Sequence, residues 1–335
     1  MRLLHVENSS GRGGSLKSLS LLWPAPSYWE VEVVSLERQW SDGITCGVPV
    51  TVFDKQSVYK AWRFLQRGSF DVLHINNALI EAWSFVLAAW WQGIPVISHH
   101  RSVRPLRKIE YLLNFFCEKI FILSQAQKKM FPSYVKTQVL YNGIKDVGVV
   151  NMDDSCKIAM FSVLKEGKGH EDVIEALSRI ESDWELLIVG GAVSDQKSTE
   201  DQLKKRVKEK GVESKVKFFG HVDNPQEIMK TCFLVVDPSH KAEGFRRTLC
   251  EAAMMACPVL ATDVGGASDI LEESELISPG NIDEWEKSLR HVLSDQKKTR
   301  ARGKNLREIA LNLFDIKKMH ASFWRVANEV GIKRK

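Results

Sequence analysis

The amino-acid sequence predicts an α/β chain of two Rossmann-like parallel-sheet domains facing across a cleft. Three observations predict it. Short runs rich in Val, Ile, Leu and Phe alternate with helical stretches along the whole chain, the signature of βαβ units. The pattern halts at Asn142-Gly143, crosses a polar segment from Asp146 to Ser155, and restarts at Lys157. A length of 335 residues suits two domains of roughly 150 residues each. The expected boundaries are 1–148 and 156–315, followed by a C-terminal helix, 316–335, that packs back toward the first domain.

In the first domain the strands are expected at 3–6, 31–35, 50–53, 72–75, 96–98, 120–123 and 138–141, with helices in most of the gaps. The segment from Ala82 to Trp91 is apolar but half the roughly 20 residues that span a bilayer, so it reads as a core helix. Pro105 to Cys117 reads as a helix with Leu106, Ile109, Leu113 and Phe116 on one face. In the second domain the strands are expected at 157–163, 184–189, 216–219, 233–236 and 259–262, and an apolar helix runs from Leu249 to Ala256. From Ile282 onward the pattern is helical, with Trp285, Leu289 and Val292 on one face and a last segment from Ile316 to Val330.

Composition narrows the classes. Hydrophobic content of 44% with 27% charge is that of a soluble globular protein. An acid as early as Glu7 does not fit a secretory signal, so a cytoplasmic location is expected. Six cysteines without a C-x-x-C pair read as reduced, buried thiols. The net charge of +5 is uneven: residues 1–150 carry 17 Lys+Arg against 11 Asp+Glu, and residues 151–335 carry 30 against 31. A basic first half fits an anionic membrane surface, or simply a solvated face; no nucleic-acid partner is expected. Neither zinc-ligand spacing nor a D-x-D triplet occurs, so no metal and no cofactor are expected. Without a G-x-S-x-G elbow or a Walker lysine loop, serine hydrolase and nucleotide triphosphatase readings fall away.

The residues that carry chemistry sit at strand ends. Asp237-Pro238-Ser239 closes a hydrophobic strand, and Glu243-Gly244-Phe245 then leads into a helix that carries Glu251. A helix N-terminus favours phosphate, and carboxylates accept hydrogen bonds from sugar hydroxyls, so phosphate and sugar together suggest a sugar nucleotide. Lys168-Gly169 opens another helix, where a lysine either neutralises a diphosphate or is an ordinary surface charge. Gly190-Gly191, Phe219-Gly220-His221 and Gly265-Gly266 put small residues at further strand ends, as ligand-facing backbone or as turns. In the first domain Gly11-Arg12-Gly13-Gly14 resembles a phosphate-cradling turn, although it lacks the G-x-G-x-x-G spacing and only Glu37 stands near where a ribose acid belongs. His99-His100-Arg101 ends another strand and offers basic groups for a departing diphosphate or an acceptor, with His74 a weaker parallel. Arg101, Arg104, Arg107 and Lys108 cluster at the start of the Pro105 helix, beside Tyr111, Leu112 and Phe115, as suits an anionic membrane interface.

Taken in order, Gly13-Gly14, Asp71-Val72-Leu73-His74, Gly93 to Ile97, Ser124, Tyr141 to Ile144, Lys168-Gly169, Phe219-Gly220, Pro238-Ser239, Glu243-Gly244-Phe245 with Glu251, and Pro258 to Gly266 resemble the retaining glycosyltransferases of family 4, among the group 1 glycosyl transferases of GT-B fold. The likeness runs nearly end to end. It implies a first domain that binds acceptor and a second that binds nucleotide-sugar. It also implies that Glu243 touches the donor sugar, Glu251 the ribose and Lys168 the diphosphate, with donor contacts from Gly13, Gly14, Gly190, Gly220, His221, Gly244, Phe245, Arg246, Thr248 and Leu249. His99 and Arg101 join Glu243 and Lys168 as the implied catalytic group. The implied reaction is metal-independent transfer of a hexose or related sugar from a UDP-sugar, or a GDP-sugar, to a lipid-linked or polysaccharide acceptor in surface polysaccharide or lipopolysaccharide biosynthesis. One departure stands out: the family's Gly-Arg-Leu ahead of Lys-Gly is Ser162-Val163-Leu164 here. Lys165, Arg246 and Arg247 are the candidates to replace that arginine, and the alternative reading is a non-catalytic GT-B scaffold or partner of another transferase.

Overall fold

The computed structural model describes residues 1–8, 20–36, 48, 50–53, 57–101, 103–149, 156–192 and 197–333. The glycine loop with Gly13 and Gly14, and Glu37, lie outside the described residues. The chain divides into two compact units, one of residues 1–143 with 316–335 and one of residues 144–315.

The first unit is built on a seven-stranded parallel sheet. Its strands are β1 (Arg2–Glu7), β2 (Glu30–Ser35), β3 (Val50–Val52), β4 (Val72–Asn76), β5 (Val96–His100), β6 (Cys117–Ile122) and β7 (Thr137–Val139), in the order β3-β2-β1-β4-β5-β6-β7. Helices α1 (Val58–Gly68), α2 (Trp83–Trp91), α3 (Lys108–Phe115) and α4 (Gln125–Lys128) connect them. β4 and β5 are buried at every position, as expected for central strands covered on both faces. The expected helix over 105–117 is shorter and turned differently: α3 begins at Lys108, and Cys117 already opens β6. Glu110, Leu113 and Asn114 form its buried face, because Glu110 takes both terminal nitrogens of Arg104 at 2.7 Å; Ile109, placed on the apolar stripe by the sequence, is 47% exposed.

The second unit carries a six-stranded parallel sheet of β8 (Lys157–Phe161), β9 (Glu185–Val189), β10 (Val216–Gly220), β11 (Leu234–Asp237), β12 (Val259–Thr262) and β13 (Leu276–Ile277), in the order β10-β9-β8-β11-β12-β13. Around it lie α5 (His170–Ser178), α6 (Lys197–Glu209), α7 (Pro225–Met229), α8 (Arg247–Met254), α9 (Ile282–Ser294) and α10 (Gln296–Phe314). Trp285, Leu289 and Val292 of α9 are buried against α5 and the sheet, the face that the sequence pattern assigns inward. β13 is two residues long, too short for periodicity to reveal.

The last helix, α11 (Ile316–Ile332), belongs to the first unit. Met319, Phe323, Trp324, Val326, Ala327 and Val330 join Leu3, Leu22, Trp29, Val72, Ile97 and Phe121 in one core. Gly143 sits where Ile316 presses closest: a Cβ there would lie 2.8 Å from the Ile316 Cα. Among the described residues, no helix is long and apolar enough to cross a membrane.

Candidate functional site

Each sheet reverses its strand order at one place, between β1 and β4 in the first unit and between β8 and β11 in the second. In open parallel sheets, the crevice outside the carboxyl ends of the strands at that reversal is where ligands bind. Lys168 and Glu243 follow β8 and β11 at the second reversal, His99 and Arg101 lie at the end of β5, one strand from the first, and Gly190 and Gly220 lie at the ends of β9 and β10.

In the second unit, the loop after β8 and the loop after β11 meet. Gly169 has φ +72°, and a Cβ on it would lie 2.1 Å from the Pro238 carbonyl oxygen, so only glycine lets the two loops touch. The His240 amide donates to the Gly167 carbonyl at 2.9 Å, and the His240 ring bonds the buried Asp172 of α5 at 2.6 Å. Across this seam Lys168 Nζ is paired with Glu243 Oε1. The two residues assigned to diphosphate and to sugar therefore hold each other. Their side chains keep 22% and 40% of their surface open to solvent, which leaves the pair exchangeable.

Gly265 serves Glu243 directly. A Cβ there would approach the Glu243 carbonyl oxygen to 2.4 Å and its amide nitrogen to 3.0 Å, at φ +62°. The Gly265-Gly266 pair is thus the support under the Glu243 backbone. Gly190 is similarly a packing residue: the Ser162 carbonyl occupies the space of its missing side chain at 1.9 Å, and its amide is taken by Gly220 at 2.8 Å. Gly220 itself borders open space, and His221 beside it is largely exposed. Of the two strand-end glycines assigned to the donor, only Gly220 is open to a ligand.

Arg246 turns inward, contrary to the expectation that it stands in for the missing arginine. It is 3% exposed. Its Nε donates to Asp237 Oδ2 at 2.8 Å, one terminal nitrogen to the Thr262 carbonyl at 2.7 Å, and the other pairs with Asp237 Oδ1 at 2.7 Å and reaches the Asp237 carbonyl at 2.9 Å. This bonding pins the start of α8 to the ends of β11 and β12. Arg247 bonds Glu251 Oε1 at 2.9 Å, one turn on, and Gln226 Nε2 reaches the same oxygen at 3.4 Å. Glu251 is 9% exposed. Leu249 puts its side chain into the core, so only its backbone can serve a ligand, while the Thr248 hydroxyl donates to the Phe161 carbonyl at 3.2 Å. The Arg247 amide donates to the Phe245 carbonyl and the Cys250 amide to the Arg246 carbonyl, each at 3.1 Å, while the Thr248 and Leu249 amides between them have no backbone acceptor among the described residues, which suits an anion. Gly244 is buried, and Phe245 stacks edge-on to Phe314 at 5.7 Å. Val163 is 47% exposed beside the turn that carries Lys168, and Lys165 is exposed.

At the reversal in the first unit the character differs. Register sets Glu7, Asn76 and His99 side by side across β1, β4 and β5. His5, His74 and His99 are buried, and His5 Nδ1 lies 2.9 Å from His74 Nδ1. Burial pushes His74 and His99 well below the usual histidine range, and the Arg101 charge adds to this for both. Burial thus disfavours the charged form of His99, whose Nδ1 faces Arg101 at 3.2 Å. Arg101 is the charged member of the pair, held by Asn76 and Asn142 as well. Glu7, Asn76 and Asn142 went unassigned in the sequence reading; the available signal was that each polar residue ends a hydrophobic strand or directly follows one.

Residues 149–309, wholly inside the second unit, match the family described as Glycosyl transferases group 1. The chain is 30% identical over 176 residues to the N-acetylgalactosamine-N,N'-diacetylbacillosaminyl-diphospho-undecaprenol 4-alpha-N-acetylgalactosaminyltransferase of Campylobacter jejuni, which covers 50% of this chain and 47% of that one. It is 32% identical over 127 residues to the lipopolysaccharide core biosynthesis mannosyltransferase LpsB of Rhizobium meliloti, 36% of either chain. The matched stretches thus span about half of the first relative and about a third of the second. Among solved structures, Anabaena HepE in complex with UDP superposes with a TM-score of 0.84 over 98% of this chain and 100% of that one, at 22% identity. The chain has the two-unit GT-B fold.

Proposed function

We propose that this chain is a retaining glycosyltransferase of family 4. In this reading it moves a hexose or related sugar from a nucleotide-diphosphate sugar, UDP favoured, to a lipid-linked or polysaccharide acceptor in surface polysaccharide biosynthesis on the cytoplasmic side. The observation that carries it is the Lys168–Glu243 pair across two glycine-built loops at the strand reversal of the second unit, beside the N-terminus of α8. Donor binding replaces this pair: the diphosphate takes Lys168, and the sugar hydroxyls take Glu243. The bond from C1 to the diphosphate oxygen breaks as the acceptor oxygen attacks C1 on the same face. The acceptor proton passes to the departing phosphate, whose growing charge Lys168 and the α8 amides offset. No protein nucleophile is needed, and protein cations rather than a metal ion meet the diphosphate. The family match over 149–309 and the UDP complex of HepE support the reading.

Incubation with UDP- and GDP-sugars and lipid-linked acceptors, with and without EDTA, tests it. Nucleotide release that survives the chelator and yields a product of retained anomeric configuration is expected. Release absent with every donor, or unaffected by Glu243→Ala, defeats the reading. Val163, exposed where an arginine is expected, favours a second reading as a non-catalytic partner of another transferase. Donor binding by calorimetry without turnover, together with a stable complex in pull-downs, selects that one.

The reading extends to an anionic membrane surface. Ile109, Tyr111, Leu112 and Phe115 of α3 are exposed, Phe115 to 73%, next to exposed Arg107 and Lys108. Sedimentation with anionic vesicles should weaken as salt rises. Equal binding to neutral vesicles, or none to either, removes this part.

A further inference from the structure

Glu7 is 1% exposed at the carboxyl end of β1, in the row that runs through Asn76 to His99. A carboxylate buried this deeply is costly unless donors surround it. Asn76 Nδ2 donates to Oε2 at 2.6 Å, Asn77 Nδ2 to Oε1 at 2.8 Å, and the Asn8 amide to Oε1 at 3.1 Å. An ionised carboxylate accepts and never donates, so it fixes which way round the Asn76 amide lies. With its NH2 on Glu7, Asn76 has only Oδ1 to offer elsewhere, and that oxygen accepts from Arg101 Nε at 2.5 Å. One terminal nitrogen of Arg101 donates to Asn142 Oδ1 at 2.6 Å, and the other faces His99 Nδ1 at 3.2 Å. Among the described residues, this engages three of the five guanidinium N–H groups and leaves one on each terminal nitrogen. Two such N–H groups are what a fork-like grip on an oxyanion requires. The charge balance points the same way: burial draws the Arg101 guanidinium down to about 10, and the Glu7 carboxylate opposes that fall.

We propose that Glu7 is a positioning residue: its carboxylate locks the Asn76 amide and so holds Arg101 poised for a phosphate group of a substrate. The inference rests on the proposed function only in giving Arg101 a phosphate to meet, from the donor diphosphate or from the acceptor. In Glu7→Gln the new side-chain NH2 confronts the NH2 of Asn76 or Asn77. Asn76 then loses its reason to face one way, and Arg101 Nε loses its acceptor. Adding Asn76→Asp reverses the chain of donors: the glutamine NH2 donates to one aspartate oxygen, and Arg101 Nε donates to the other.

The test is nitrogen-15 NMR of the arginine Nε–Hε groups in the full chain, with the Arg101 peak assigned by its loss in Arg101→Lys. At neutral pH its hydrogen exchange should be at least about tenfold slower than that of exposed arginines, and inorganic pyrophosphate should shift the peak. Glu7→Gln should abolish both properties, and the double variant Glu7→Gln/Asn76→Asp should restore them. Asn76→Ala, which leaves Glu7 intact, should copy the loss, so the test survives if Glu7→Gln fails to fold. A shift with UDP assigns the phosphate to the donor; a shift with a water-soluble prenyl diphosphate assigns it to the acceptor. Unchanged protection in Glu7→Gln and Asn76→Ala, or no shift with pyrophosphate, overturns the proposal. Absence of any sugar transfer while this pattern holds defeats the transferase reading and leaves the positioning role standing.

Discussion

The two sheet reversals occupy equivalent places in similar parallel sheets, yet they hold their charges in opposite ways. At β1/β4 the guanidinium of Arg101 is bound by three protein partners, over a carboxylate that is 1% exposed and among imidazoles whose charged form burial disfavours. At β8/β11, Lys168 and Glu243 hold only each other among the described residues and remain partly in water. Buried polar networks orient a group at high cost if one member is lost, whereas a half-exposed ion pair is cheap to trade for a ligand. The first arrangement fixes direction, and the second permits exchange.

Ranked by expected size, the ways to break this contrast begin inside the second unit. Arg246→Ala removes a guanidinium whose side chain is 1% exposed, together with its bonds to Asp237 and Thr262, and should cost the second unit about 3–5 kcal/mol, read by chemical denaturation. Arg247→Ala, whose side chain is 27% exposed in its pair with Glu251, should cost about 1 kcal/mol or less in the same assay. Equal losses would erase the distinction between buried and exchangeable charge. Glu243→Ala should lower transfer by on the order of 10²–10³-fold, the usual toll for one contact made in the transition state. Stability should move by about 1 kcal/mol or less, because its ion pair is part-exposed.

Backbone and protons give smaller effects. Gly265→Ala meets the Glu243 carbonyl and should destabilise more than Gly220→Ala, which meets open space and carries only the left-handed strain of about 1–2 kcal/mol. Thermal melts of the two variants check the order. Acid should affect the first unit more than the second. His74 and His99 are held below 6.5, and His170 is held at about 4 by burial and the Lys168 charge. A depressed histidine leaves the unfolded state binding more protons, so the associated stability is complete above about pH 6.5 and is lost as pH falls toward 4. Among the described residues, His74 and His99 in the first unit against His170 in the second predict that protection against hydrogen exchange, corrected for the intrinsic pH dependence, falls at higher pH in the first. Smallest of all, Val163→Arg should tighten donor binding by roughly fivefold in calorimetry, since one added charge-assisted bond at a 47% exposed position is worth about 1 kcal/mol.

Strand and helix order was legible because hydrophobic periodicity reports burial, and the candidate site of the second unit was legible as far as Lys168 and Glu243 follow strand ends that the sheet order brings together. Other features escaped for physical reasons. Gly190 and Gly265 look like ligand-facing glycines in sequence, but what selects them is backbone from distant loops pressing on the missing Cβ. Arg246 and Arg247 are neighbours of the same type, and only the helix start decides that one turns inward to Asp237 and the other lies along α8 to Glu251. On α3, the two bonds from Arg104 to the buried Glu110 outweigh the apolar stripe and rotate Ile109 outward. Glu7 is invisible locally, because the two side chains that donate to it lie 69 and 70 residues away.

The first unit is discontinuous, since α11 supplies Phe323 and Trp324 to a core begun by Leu3 and Trp29. On the ribosome, residues 144–315 therefore emerge as a complete folding unit, while the earlier-made sheet must wait with its apolar face uncovered. The core of the amino-terminal half is completed only once α11 has emerged.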